Sequence, residues 1–275
     1  MVENRIYTIF KKGSKTYFYN SLFFPRETRE DVFILYSFVR VADNFVDSIP
    51  QRKDDFCNFY QSFCQAWDGK PSGDHVLDSF IEMAKRKNFE KEWIEAFLHS
   101  MELDLVKSHY ETLEEVEEYI YGSAEVIGLM MCRILGVNDE FHPNARALGK
   151  AMQYINFIRD IEEDNRLGRR YIPKEELEKY RLKDLKASTA REHSQCFAAL
   201  IDAQVEKYMK WQSEAERGYE GLDRNVRIPV MNASDMYKWT AMRIVRDPLI
   251  IYRKKVKPSK ARIVLNLLTK KFTVK

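Results

Sequence analysis

The sequence predicts an all-α fold, a single helical bundle, and three observations lead to this prediction. The chain has 275 residues, of which only 10 are Gly and 8 are Pro. Apolar residues recur at helical spacing along most of the chain, and the alternation typical of β-strands is scarce. Neither a repeat of fixed period nor a long polar linker divides the sequence. We therefore expect residues 1–275 to form one domain.

The individual helices follow from this periodicity and from the turn signals between them. The clusters "DGKPSGD" (68–74) and "GVNDEFHPN" (136–144) separate helices, and "NRLGRRYIP" (165–173) has the composition of an arginine-rich loop. The predicted helices lie near residues 27–48, 52–67, 75–87, 90–108, 112–135, 141–165, 190–221 and 233–246.

Composition and charge exclude several classes of protein. Charged residues make up 32% of the chain but nearly cancel, leaving a formal net charge of +3, which argues against a nucleic-acid binder. The four cysteines have no CxxC spacing, so we expect no zinc site, no disulfide framework and a reducing, cytoplasmic location. The N-terminus "MVENRIYTIFKKGSKTYF" lacks the apolar core of a signal peptide. No stretch of about 18 apolar residues predicts a membrane-spanning helix.

The C-terminal tail, about residues 253–275, differs in charge from the rest of the chain. No acidic residue follows Asp247, whereas "YRKKVKPSKARIVLNLLTKKFTVK" carries nine Lys or Arg. Such a tail is either a solvated basic terminus or a weak peripheral attachment to anionic lipid. In the second case "ARIVLNLL" would lie in the membrane interface.

The first predicted helix carries a polar stripe on an otherwise apolar surface. At about 100° per residue, Tyr36, Arg40, Asp43 and Asp47 fall within roughly 60° of one another. A carboxylate beside an apolar face is costly unless water, a cation or a metal meets it. A plain structural interpretation also exists, in which Arg40 pairs with either aspartate on a wet surface.

A second stretch, "AMQYINFIRDIEEDNRLGRRYIP" (151–173), repeats the pattern. Gln153, Asn156, Asp160 and Asp164 share a stripe by the same arithmetic. The carboxylates of residues 160–164 then lie at the C-terminal end of the predicted helix, which the helix dipole disfavours. Each stripe has Asp at i and i+4 and an adjacent arginine, Arg40 or Arg159.

Two facing aspartate pairs predict a magnesium-dependent diphosphate site. Mg²⁺ commonly bridges one or two carboxylates to substrate phosphates, and the "RLGRR" arginines would take remaining phosphate oxygens. The candidate metal ligands are Asp43, Asp47, Asn156, Asp160 and Asp164. Loss of a diphosphate would form a carbocation, which needs a dry aromatic pocket. Wall material is available in residues 17–24, Phe33, Tyr36, Tyr121 and residues 126–131, although plain core packing would also explain these side chains.

Three segments together resemble the squalene/phytoene synthase family. They are "SKTYFYNSLFFPRETREDVFILYSFVRVADNFVD", "YIYGSAEVIGLMMCRILG" and "QYINFIRDIEEDNRLGRRYIP", in the order the family has them. The resemblance runs from about residue 11 to 175, with a looser match through "DPLIIYRKKVKPSK", and within the family it is nearest to prokaryotic phytoene synthases.

The resemblance implies an isoprenoid synthase fold and a Mg²⁺-dependent (or Mn²⁺-dependent) condensation of two prenyl diphosphates. It assigns catalytic roles to Asp43, Asp47, Asp160, Asp164, Tyr36 and Tyr171. It assigns substrate binding to Ser14, Lys15, Arg40, Tyr121, Gln153, Asn156, Arg159, Tyr237 and Arg253.

The sequence departs from the family pattern at two positions. The first motif reads DNFVD where many members have DDxxD, so Asn44 replaces a carboxylate. "YGSAEVIG" places Glu125 where other members carry a small residue. Glu125 either faces a polar partner or enters the cavity, where it would accept a proton.

Several functions are compatible with these residues. We expect condensation of geranylgeranyl diphosphate to phytoene without NADPH. The alternatives are a squalene or dehydrosqualene synthase acting on farnesyl diphosphate, a terpene cyclase on the same scaffold, and a non-catalytic helical protein that binds isoprenoids.

Overall fold

The computed structural model describes residues 4–273, and the regular secondary structure of this part of the chain consists of helices joined by loops, without a strand. The N-terminal part holds α1 (Asn4–Gly13), α2 (Lys15–Ser21), α3 (Arg26–Val46), α4 (Lys53–Trp67), α5 (His75–Arg86) and α6 (Lys91–Leu103). The central part holds α7 (Leu113–Ile120), a π-helical turn (Tyr121–Glu125), α8 (Val126–Leu135), a 3₁₀ turn (Asp139–Phe141), α9 (His142–Arg159) and α10 (Ile161–Arg166).

The C-terminal part completes the bundle. It holds α11 (Lys174–Lys179), α12 (Ala187–Glu192), α13 (Ser194–Glu216), a 3₁₀ turn (Arg217–Gly221), α14 (Arg224–Arg246), a further 3₁₀ turn (Pro248–Tyr252) and α15 (Lys260–Thr273). The all-α prediction is confirmed. The last two residues of the predicted basic tail lie outside the described residues.

The helix boundaries differ from the prediction where tertiary packing overrides local signals. α1, α2, α11 and α15 were not predicted. α2 and α11 have only 7 and 6 residues, whereas α1 and α15 do carry apolar residues one turn apart, Ile6 with Phe10 and Ile263 with Leu267. α14 begins at Arg224 rather than near residue 233 and continues through Pro229, whose ring lies against the cavity described below. The predicted helix 112–135 consists of α7, the π-helical turn and α8, joined end to end.

α9 lies at the centre of the bundle, in contact with α8, α13 and α14. Two glycines allow its close approach to the preceding hairpin partner. A Cβ on Gly149 would lie 2.3 Å from the carbonyl oxygen of Ala124, and one on Gly128 would lie 2.3 Å from that of Ala145. α8 and α9 are therefore antiparallel, and one side of the pair forms a long cavity wall.

The apolar face of α3 anchors the other wall. Phe38 is fully buried and stacks on Phe80 of α5 with ring centroids 3.7 Å apart. Val32, Leu35, Tyr36 and Val39 of the same helix line the cavity. None of the helices within residues 4–273 is long and apolar enough to cross a membrane.

Candidate active site

The four predicted aspartates lie at the ends of two helices. Asp43 is in the last turn of α3, and Asp47 is its C-terminal cap. Asp160 ends α9, and Asp164 lies in the first turn of α10. Arg169 brings the two motifs together, because its amide donates to the Asp164 carbonyl (2.8 Å) and its side chain donates to Asp47 Oδ1 (2.7 Å). The charge of Asp47 accordingly contributes to the raised pKa of Asp164.

The helix breaks at Asp160, and this break changes the position of the acidic run. The Asp160 carbonyl accepts hydrogen bonds from the amides of Glu163 (2.8 Å) and Asp164 (2.9 Å), which starts a new helix. Residues 162–164 thus occupy the N-terminal turn of α10, where the helix dipole favours negative charge. The prediction that they lie at a disfavoured helix end was wrong, because one continuous helix was assumed.

Asp43 is a strongly perturbed carboxyl group. Burial and the neighbouring charge of Asp47 raise the pKa of Asp43 to about 7, although Arg40 opposes the shift. Arg40 Nη1 lies 2.5 Å from Asp43 Oδ2, so the predicted i,i+3 pair does form. The charge of Arg40 does not fully compensate the cost of burying the Asp43 carboxylate, so the pKa of Asp43 stays raised.

Asp47 is instead held by Arg169, from the loop after the second motif. Arg169 Nη1 donates to Asp47 Oδ1 (2.7 Å), and Nη2 donates to the Val46 carbonyl (2.6 Å). The guanidinium is only 6% exposed. The "RLGRR" loop was predicted to contact phosphate, but this arginine fixes the end of α3. Asp47 and Arg169, which are 122 residues apart in the sequence, are therefore held together in the fold.

Beneath this pair lies a buried network that the sequence did not indicate. The Asp104 carboxylate accepts hydrogen bonds from the hydroxyls of Tyr119 and Tyr171, each at 2.7 Å. Burial raises the pKa of Asp104 to about 6, against the opposing effects of Arg169 and the two hydroxyls. Tyr171, predicted to be catalytic, thus lies in this supporting layer, where it also stacks on Phe157.

The second motif is richer in positive charge. Arg159 Nε donates to Asp160 Oδ1 (2.9 Å), and Lys255 Nζ lies 3.6 Å from the same oxygen. Burial acts to raise the pKa of Asp160, but Arg159 holds it below its ordinary value. Within residues 4–273 Asp164 has no such ion pair. Burial together with the Asp160 charge raises the pKa of Asp164 well above its ordinary value, although Arg169 opposes the shift.

The donor set fits a divalent cation that is shared with a substrate. The side-chain oxygen of Asn156 is buried and has no hydrogen-bond partner within residues 4–273. No group of three or more His, Cys, Asp or Glu side chains in the described part of the chain is placed to hold a metal ion. Asp43, Asp47 and Asp160 each face an arginine instead. Mg²⁺ needs only one or two carboxylates when phosphates and waters supply the remaining ligands.

A deep apolar cavity of about 320 Å³ begins one helical turn before each motif, at Val39 on α3 and at Asn156 on α9. Gln153 and Asn156 line its mouth, and Phe141 and Asn144 line the opposite end of α9. The wall between them includes Tyr17, Ser21, Phe24, Tyr36, Ile127 and Met131. The prediction of the wall is correct only in part. Of its residues, Tyr17, Asn20, Ser21, Phe24, Tyr36, Ile127, Gly128 and Met131 line the cavity, whereas Phe33, Tyr121 and the rest of both ranges do not. Charge at one end and an apolar interior are what a prenyl diphosphate requires.

The comparisons with known proteins agree with this architecture. The sequence profile described as squalene/phytoene synthase matches residues 10–262. The chain belongs to the squalene/phytoene synthase family. Members of this family are prenyltransferases, and the chain is an enzyme of that class.

Two curated relatives illustrate the similarity in sequence. The 15-cis-phytoene synthase of Synechocystis sp. is 26% identical over 244 residues, covering 82% of this chain and 71% of the relative. The 15-cis-phytoene synthase of Paracoccus sp. is 26% identical over 260 residues, covering 91% of this chain and 84% of the relative.

Solved structures show the same fold. A dehydrosqualene synthase superposes with a TM-score of 0.86 at 23% identity, covering 98% of this chain and 95% of that structure. A squalene synthase from Alicyclobacillus acidocaldarius superposes with a TM-score of 0.78 at 21% identity, covering 88% and 92%. The predicted isoprenoid synthase fold is confirmed.

Several of the residues that the resemblance predicted to bind substrate lie near the mouth. Ser14 caps α2, with its Oγ accepting from the Tyr17 amide (3.3 Å), and Lys15 is the first residue of that helix. The Tyr237 hydroxyl donates to the Tyr17 hydroxyl (2.8 Å) beside Asn156. Tyr17 was predicted only as part of the wall segment 17–24, since nothing in "SKTYFYN" separates it from its aromatic neighbours.

Two predicted substrate residues are placed elsewhere. The ring of Tyr121 lies at the surface under the guanidinium of Arg146, 5.3 Å from its centroid. Arg253 is exposed and pairs with Asp247. Lys257 instead lies near the second motif, where burial and then the charge of Arg159 lower its pKa to about 8.

Glu125 faces polar partners rather than the cavity. Its carboxylate accepts from Arg146 Nε (2.8 Å) and lies 3.0 Å from Lys150 Nζ, which also pairs with Glu117. The backbone of the π-helical turn buries Glu125 while its neighbours Ser123 and Ala124 line the cavity. The structure therefore supports the first of the two interpretations.

We expect Glu125→Gln to affect stability and not catalysis. Loss of the carboxylate removes charged hydrogen bonds and should lower the free energy of unfolding by roughly 1.5–3 kcal/mol. Turnover per folded molecule and product identity should not change. Urea unfolding and product analysis measure the two effects, with Glu117→Gln, at the more exposed end of the same network, as the milder control. A changed product would return Glu125 to the catalytic residues.

Proposed function

We propose that this enzyme condenses two molecules of geranylgeranyl diphosphate to phytoene, with Mg²⁺ or Mn²⁺ and without NADPH. The observation that carries the proposal is the pair of neighbouring aspartate motifs at the mouth of a deep apolar cavity. When bound with the substrate, the divalent cations would neutralise the diphosphate and assist its departure. Asp43, Asp47, Asp160 and Asp164 would hold them, with Asn156 contributing its unpaired oxygen.

Three cationic side chains of the protein assist the departure of the diphosphate. Arg40, Arg159 and Lys257 surround the mouth and can meet the released diphosphate, whose charge they stabilise. The first substrate loses its diphosphate to give an allylic cation, which attacks a double bond of the second. Loss of a proton closes a cyclopropyl diphosphate. That compound loses its diphosphate in turn, rearranges and gives up a second proton.

The apolar wall protects these cations from water. Tyr17 and Tyr36 place aromatic rings at the mouth, next to the site where positive charge first forms. Tyr36 is held by Phe10 of α1, which stacks on it at 4.0 Å. α1 and α2 therefore act as one cover over this part of the cavity.

The depth of the cavity favours a C20 substrate. Asn156 at the mouth and Asn144 at the far end are twelve residues apart on α9, which corresponds to about 18 Å. Carbon–carbon bonds at ordinary length and angle advance ~1.25 Å each, so an extended geranylgeranyl main chain spans ~19 Å and a farnesyl chain ~14 Å. The longer chain fills the available length.

Phe141 forms the far end of this cavity and should control the accepted chain length. It packs against Gly221, where a Cβ would lie 2.3 Å from the ring. We expect Phe141→Ala to open the floor and to raise the ratio of kcat/KM for a C25 over a C20 diphosphate about tenfold. Ile127→Ala, in the middle of the wall, should leave the ratio unchanged. An unchanged ratio in a folded Phe141→Ala enzyme would place the floor elsewhere.

The proposed reaction itself is tested by product analysis. Purified protein is incubated with Mg²⁺ and either farnesyl or geranylgeranyl diphosphate, with and without NADPH, and the extracted hydrocarbons are identified by mass spectrometry. A C40 product from the C20 substrate, formed without NADPH, supports the proposal. A C30 product would identify a squalene or dehydrosqualene synthase, and a cyclised product from one substrate would identify a cyclase. No turnover of either substrate would support a binding protein.

A further inference from the structure

α15 has two apolar faces, and only one of them is packed against the protein. Ile263 and Leu267 are fully buried against α2 and α14. On the opposite side Leu265, Leu268 and Phe272 are 67%, 45% and 88% exposed. At 100° per residue these three fall within about 60° of one another, and Ala261 extends the row. A contiguous exposed apolar row of this kind marks an interaction surface.

A rim of positive charge borders this row. Lys260 lies over the ring of Tyr19, Arg262 over that of Trp239, and Lys271 over that of Phe23. α15 contains no acidic residue, and none follows Asp247 in the sequence. Within residues 4–273 no carboxylate pairs with these three cations, so their charge is available to a partner.

We propose that the outer face of α15, formed by Leu265, Leu268 and Phe272 with the rim of Lys260, Arg262 and Lys271, is a docking surface for an anionic lipid bilayer. The apolar row would enter the interface between headgroups and acyl chains, while the rim would contact the negatively charged headgroups. A second copy of the chain fits this face poorly, because it would bring two positive rims together without an acidic partner.

α15 lies next to the wall of the cavity. α15 packs on α2 and α14, and both of these helices line the cavity. Asn266 Nδ2 donates to Asn232 Oδ1 (2.7 Å), and Asn232 Nδ2 donates to the cavity residue Asn20 (2.6 Å). One layer of side chains thus separates α15 from the cavity. A docked bilayer would lie beside the wall that, on the proposed function, encloses two lipid chains; this last step rests on that function.

Vesicle binding by the full chain, without substrate or Mg²⁺, tests the proposal. Wild-type protein should sediment with vesicles of phosphatidylcholine and phosphatidylglycerol, less with pure phosphatidylcholine, and less at high salt. The variant Leu265→Ser/Leu268→Ser/Phe272→Ser should bind at least about tenfold more weakly. Arg262→Gln and Lys271→Gln should each weaken binding about fivefold.

The matched control removes two other exposed apolar side chains, in Ile49→Ser/Val106→Ser, which are 77% and 78% exposed in the loops that follow α3 and α6. It should bind like the wild type, and all variants should melt at similar temperatures because the outer row is unpacked. Equal binding by the α15 variant, or no binding by the wild type, overturns the proposal. Self-association that the α15 variant abolishes, without vesicle binding, replaces it with a dimer interface. Turnover in detergent, measured in parallel, tests the proposed reaction independently.

Discussion

Asp43→Asn is expected to remove most of the turnover and, at the same time, to raise the melting temperature of the metal-free protein. The two effects have one cause. The carboxylate of Asp43 is largely buried beside Asp47, and Arg40 and Arg169 offset only part of the cost, so the pKa of Asp43 rises to about 7. A side chain that destabilises its own fold is retained where its charge serves a ligand.

The size and sign of both effects follow from this position. Removing one ligand of a diphosphate-bound cation should lower kcat on the order of a thousandfold. The neutral amide has no burial penalty of this kind, so the melting temperature in EDTA should rise by roughly 2–4 °C, which corresponds to about 1 kcal/mol. Asp55→Asn, an exposed aspartate paired with Arg52, is the control and should change neither quantity measurably.

The pH dependence of stability provides a second check on Asp43. Between the ordinary pKa of 3.8 and the raised value of about 7, the folded state keeps a proton that the unfolded chain has lost. Stability of the metal-free protein should therefore fall as the pH rises through this range, and remain low above it. In Asp43→Asn this fall should be smaller. An identical pH profile in both proteins, measured by urea unfolding, would show that Asp43 is not the group responsible.

The aspartate motifs could be predicted from sequence because helical periodicity alone places each pair on one face. Asp43 and Asp47 are separated by one turn, and so are Asp160 and Asp164, although the break at Asp160 was invisible to the same argument. Periodicity assumes a continuous helix, and the carbonyl bonds that restart α10 arise only in the folded chain.

The supporting network could not be predicted, since its members are brought together by tertiary structure. Asp104 is 57 residues from Asp47 and 67 residues from Tyr171 in the sequence, and nothing in "MELDLVKSHY" marks it. The sequence marks Arg169 only as one cation of an arginine-rich loop, whereas its partner Asp47 lies 122 residues away. Likewise, the charge of the basic tail is evident in the sequence. Which apolar face of α15 is exposed depends on the packing of Ile263 and Leu267, which the sequence does not show.

Arg169→Met is expected to be among the most destabilising substitutions in the chain. The variant would leave Asp47 and the buried Asp104 without their shared cation and would remove the hydrogen bond to the Val46 carbonyl. Losing one partner of a buried ion pair costs about 3–5 kcal/mol, because the remaining charge stays buried. The unfolding free energy of Arg169→Lys should lie between those of the wild type and Arg169→Met, since a single ammonium group cannot reach both oxygens that the guanidinium fork holds.

Urea unfolding of Arg169→Met against Arg166→Gln measures this cost with a control from the same loop. Arg166 is 71% exposed and pairs with Glu162 one turn away, so its loss should change the unfolding free energy by less than about 0.5 kcal/mol. Adding Asp104→Asn to Arg169→Met should recover part of the stability, because the uncompensated charge is then removed. Turnover should not recover with it, since Asp47 would still lack the group that orients its carboxylate toward the second motif. Equal destabilisation by the two arginine variants would mean that the α3 end is held by packing alone, and Asp47 would then need no arginine to face Asp164.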